Sequence, residues 1–178
     1  MINIAKKKLP FWAITIILYL SYCLMNWYVM RGSLAYYGQQ YGLPSALCND
    51  AVAFFLAGLV PFVLFELFAT AFRSISLKTG GDVASLRYGL TLTLIATNVL
   101  LFLLKFIYIA VPLYASVINV ILDPVITVGA VALYMWYAFY QEYIDKTRYR
   151  IALTQVMTLF CVVYGLLALL NIFLSVAG

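Results

Sequence analysis

Two long apolar stretches, residues 88–111 and 117–140, are joined through the short sequence VPLYAS at 111–116. Each is long enough to cross a bilayer, and so short a join forces an antiparallel return. Within this hairpin stand two residues that hydrocarbon does not tolerate singly, Lys105 on the way out and Asp123 on the way back. With the turn centred near Leu113 and Tyr114, the two lie at about the same depth. A lone charge there costs roughly 3 kcal/mol or more, and an opposite charge relieves much of it. The sequence therefore predicts an ion pair between Lys105 and Asp123.

Composition sets the class. With 66% hydrophobic residues, 10% charged residues and a mean hydropathy of +1.03, the chain does not read as a soluble domain. The expected fold is all-α: a polytopic membrane protein in which about five transmembrane helices form a bundle around the central antiparallel hairpin. The whole chain, 1–178, reads as a single integral membrane domain. Spans are expected at about 11–30, 51–72, 88–111, 117–140 and 151–176.

The net charge of +5 does not point to nucleic acid, because the basic residues are strung along short connections instead of clustering on one soluble face. They act as topology signals. Five spans starting inside place Lys6, Lys7, Lys8, Arg73, Lys78, Arg87, Lys146, Arg148 and Arg150 on one side and leave Arg31 outside. That bias puts the amino terminus inside and the carboxyl terminus outside. The lysines before Phe11, with Ser33 and Ala35 further on, imitate a signal peptide. The apolar run that they precede is longer than a cleavable segment, so it is expected to stay as the first helix.

After that helix comes the polar stretch 31–50. Its Gly32, Gly38, Gly42 and Pro44 predict irregular backbone, and Tyr36, Tyr37 and Tyr41 suit the headgroup level. Pro61 predicts a kink in the second span. Glu66, about 9 Å below the inner surface at 1.5 Å per residue, is expected to reach Arg73, Arg87 or Arg148. Asp82 or Ser85 is expected to cap the third span. Gly80 and Gly81 make no phosphate loop, since neither GxxxxGK[ST] nor GxGxxG is present.

Thr91, Asn98 and Lys105 recur every seven residues, and Asn119, Asp123 and Thr127 every four. Either spacing places polar groups on one helix face. A polar seam between the third and fourth spans follows, with Asn98 expected opposite Gly129 or Ala130, where small residues admit close approach. The candidate intramembrane polar site is Glu66, Asn98, Lys105, Asn119 and Asp123.

Histidine is absent, and Cys23, Cys48 and Cys161 show no metal-ligand spacing. Glu66 and Asp123 are expected near opposite surfaces, too far apart for a carboxylate dyad. No catalytic, cofactor-binding or metal-binding residue is therefore expected, and no cofactor. The expected role is a small non-enzymatic accessory, scaffold or regulatory subunit of a membrane assembly. One alternative is a small transporter or channel subunit using Glu66, Asn98, Lys105 and Asp123. Another is a membrane-embedded enzyme acting on lipid. The expected partners are the lipid bilayer and either another membrane protein or a parallel homo-oligomer; nucleic acid is not among them. The cell membrane is the expected location.

Overall fold

The computed structural model describes residues 9–44, 46–78, 82–109 and 115–177, with side chains at all of these except 75–78, 106–109, 115–121, 167–168 and 170–177. The described chain is helical between its turns. Its elements are α1 (Phe11–Tyr41), α2 (Asp50–Lys78), α3 (Val83–Ile109), α4 (Ala115–Tyr140) and α5 (Tyr149–Ala177). All five are long and apolar enough to cross a membrane. Hydrocarbon supplies no hydrogen bonds, so each span must close its backbone internally, and long helices follow. Lys6, Lys7, Lys8 and the join of the hairpin at 110–114 lie outside the described residues.

The first helix corrects the sequence reading. α1 does not stop near residue 30; it passes through Gly32 and Gly38 and ends only at Tyr41. A helical glycine costs about 1 kcal/mol relative to alanine, too little to end a helix whose other residues favour it. The true stop is Gly42, left-handed at φ 63°. Its N–H and that of Leu43 turn back to the Gly38 carbonyl, and Pro44 forbids resumption. Pro61 stands inside α2, which is helical from Asp50 to Lys78.

The chain divides into two compact units, residues up to Val63 and those from Leu64 on, so the division falls within α2 just after Pro61. In the first unit α1 packs on the amino-terminal half of α2. The Tyr19 hydroxyl donates to the Phe55 carbonyl at 2.6 Å, its ring meets Phe62 edge-on, and the Cys23 thiol lies against Gly58. Arg31 and Asp50 pair at 3.0 Å across the exposed connection.

In the second unit α4 packs between α3 and α5, and the carboxyl-terminal half of α2 meets α5 through the rings of Phe68 and Phe160. The core is a column of Leu86, Leu90, Leu94 and Leu101 from α3 with Val131, Met135 and Ala138 from α4. Asp82 caps α3, its carboxylate accepting from the N–H groups of Ala84 and Ser85. The N–H of Asp82 donates to the Tyr143 carbonyl and ties the start of α3 to the α4–α5 connection.

The α4–α5 connection repeats the stop of α1 with the wrong residue. Glu142 has φ 60°, Tyr143 N–H returns to the Ala138 carbonyl and Glu142 N–H to that of Phe139. A side chain is disfavoured in this conformation, where glycine is free. Glu142→Gly should therefore raise the melting temperature despite losing the exposed contact to Lys146, and Gly42→Ala should cost about 1 kcal/mol. Thermal melts of the two variants in one detergent test the opposite signs.

The same connection carries a pH response. Lys146, hydrogen-bonded to Glu142, holds that carboxyl below its usual range. The Thr147 N–H and hydroxyl do the same for Asp145, while Glu142 raises Lys146. Both carboxyls bind protons less tightly in the folded loop. Their contribution is complete above the ordinary carboxylate range and fades as the pH falls through it to the depressed values; that of Lys146 fades only above the ordinary lysine range. The protection factor of the Thr147 amide should be flat near neutrality and fall under acid. A value unchanged by acid would contradict this assignment.

Candidate functional site

The hairpin brings together the residues that hydrocarbon would reject one by one. The Lys105 ammonium lies 3.0 Å from Asp123 Oδ2, and the two side chains are 16% and 19% exposed. The level pairing expected from the turn is thus present. Below it Asn98, Thr91 and Thr127 are buried. The Thr91 hydroxyl donates to the Arg87 carbonyl and that of Thr127 to the Asp123 carbonyl. These hydroxyls therefore satisfy themselves on their own helices. Tyr164 of α5 lies beside Thr127 and Asp123. Asn119 belongs to α4, but its side chain lies outside the described residues.

Glu66 stands apart from this seam. Both of its carboxylate oxygens face Arg87 Nη2, at 2.9 and 3.3 Å, so of the three arginines in reach by sequence it takes the one on α3. This pair is more open, with 27% of the arginine and 39% of the glutamate side chain exposed. Each intramembrane carboxylate thus has its own cation. Among the described residues no three acidic or cysteine side chains converge as a metal site.

Two features of the seam depart from the expectation. Gly129 is exposed, and a methyl group there would meet nothing within 4 Å. Gly129 therefore does not bring α3 and α4 together. Close approach occurs nearer the start of α3, where a Cβ on Gly89 would fall 2.5 Å from the Tyr134 ring and hydroxyl. Tyr134, expected in an interfacial belt, is 6% exposed, and its hydroxyl donates to the Leu86 carbonyl at 2.7 Å. The signal for it was spacing. A seven-residue step from Thr127 lands on Tyr134, which continues the polar face of α4.

Pro124, immediately after Asp123 and inside α4, also escaped the sequence reading. It has no N–H, so the Val120 carbonyl loses its usual helical donor beside the intramembrane carboxylate.

The seam can neutralise charge, fix register and hold two helices at one spacing. Compared with known proteins, the chain matches no family model, no curated protein and no solved structure.

Proposed function

We propose that this protein is a small non-enzymatic membrane module, an accessory, scaffold or regulatory subunit of a larger assembly in the cell membrane. The observation that carries the reading is the self-sufficiency of the polar seam. Lys105 and Asp123 answer each other, and the hydroxyls of Thr91 and Thr127 bond to their own helices. A conduction path needs polar groups left over for its cargo, whereas a rigid module needs them matched. The outward surfaces of α1, α2 and α5 are rich in exposed aliphatic and aromatic side chains, which suits lipid and the flanks of other transmembrane helices. Purification from mild detergent tests the reading: a stoichiometric larger partner is expected, and a solitary monomer at every detergent concentration would count against it.

A second reading rests on one observation, the proline next to Asp123. A backbone carbonyl freed by proline beside an intramembrane carboxylate offers a cation two oxygen ligands, and with Asn98, Lys105 and Glu66 this would suit a small transporter or channel subunit. A cation flux in proteoliposomes that Asp123→Asn abolishes would favour it over the first.

A further inference from the structure

We propose that the outer face of α5 from Arg150 to Val162 binds one anionic phospholipid, with the headgroup phosphate on the Arg150 guanidinium and an acyl chain along the groove above it. The groove, about 610 Å³, is lined by Leu153, Thr154, Met157, Thr158, Cys161 and Val162. Arg150 stands one helical turn before Thr154 and two before Met157, on the same face. From Arg150 to Val162 the helix rises about 18 Å at 1.5 Å per residue. That is close to one leaflet, half of a hydrocarbon core of roughly 30 Å.

Three observations select the occupant. First, Arg150 is exposed, and among the described residues it has no carboxylate partner. Second, the hydroxyls in the groove differ from their counterparts. Thr15, Thr70, Thr91, Thr93, Thr97 and Thr127 all donate to the carbonyl four residues back. Thr154 and Thr158 make no such bond among the described residues, and both are exposed. They are placed to donate to the phosphate and ester oxygens of a lipid.

Third, the charge is one-sided. Within the second unit Lys105 and Asp123 cancel, and the six cations Arg73, Lys78, Arg87, Lys146, Arg148 and Arg150 outnumber Glu66, Asp82, Glu142 and Asp145 by two at the α2–α3 and α4–α5 ends. Anionic lipid is attracted to such a face. A second copy docked on α5 in the parallel sense would instead bring Arg150 against its own like charge.

Native mass spectrometry of the intact protein in mild detergent, titrated with phosphatidylglycerol or phosphatidylcholine, tests the site. The first phosphatidylglycerol should bind about tenfold or more tighter than phosphatidylcholine, whose quaternary ammonium cancels the phosphate charge that the guanidinium and the neighbouring cations attract. Arg150→Gln should abolish that preference, and Thr154→Val with Thr158→Val should weaken it. Arg73→Gln, which removes an exposed cation on α2 instead of the one a turn before Thr154, should leave it intact. Unchanged melting of the lipid-free variants would show that the fold is kept. Equal binding of the two lipids, indifference to Arg150→Gln, or an equal loss in Arg73→Gln would each overturn the proposal. So would a dimer that retains no lipid, since the face would then be covered by a second copy.

Discussion

Replacing Lys105 by leucine, or Asp123 by leucine, should cost about 3–5 kcal/mol each, whereas replacing both should leave the protein folded at near its original stability. Each single change strands a charge at that depth: the surviving ammonium or carboxylate keeps its desolvation cost and loses its 3.0 Å contact. The double change removes both costs and adds apolar contact between α3 and α4. The expected record is two variants recovered poorly and melting early, and a third that behaves like the parent. Equal and additive losses would show that each residue leans on some other neighbour. A double variant that melts normally but no longer supports cation flux would favour the transport reading. Stability and flux together therefore separate the two roles.

Gly89→Ala is the second large effect. The added methyl carbon would sit 2.5 Å from Tyr134 Cε2 and hydroxyl and 2.7 Å from Cζ. A flexible side chain could swing away, but this is a ring 6% exposed whose hydroxyl is held by the Leu86 carbonyl. Either the helices part or the ring leaves its site, and overpacking of this kind costs about 1–3 kcal/mol. Tyr134→Ala opens the space at its own cost, and Gly89→Ala added to it should then do little further harm. Denaturant titration of the four chains should give a coupling of about 1–3 kcal/mol. Additive losses would mean that the two residues do not collide.

The contrast between these two sites shows what the amino-acid order could reveal. Lys105 and Asp123 could be paired by counting outward from a short turn, because an isolated charge in hydrocarbon admits few solutions. Glu66 had three arginines in reach along the sequence, and only the packing of α3 beside the carboxyl-terminal half of α2 chose Arg87. The length of α1 was misjudged because Gly32 and Gly38 carry modest local penalties that a long helix absorbs. The real stop depends on Gly42 alone adopting the left-handed conformation. Tyr134 was hidden by its company: Trp136, Tyr137 and Tyr140 are exposed, and a run of aromatics near a membrane edge reads uniformly as a belt. Its different fate follows from facing the same side of α4 as Thr127. The gap that α3 and α4 share at Gly89 could not be read at all, since any glycine in a span is a candidate for it.

The pairing of Lys105 with Asp123 also bears on how the chain is made. α3 is synthesised before the carboxylate that answers its lysine, and at roughly 5–20 residues per second the delay between the two is about 1–4 s. During that wait the helix is a poor candidate for release into lipid. It should linger beside the insertion machinery until α4 arrives, so that the membrane receives the two together as its unit of insertion.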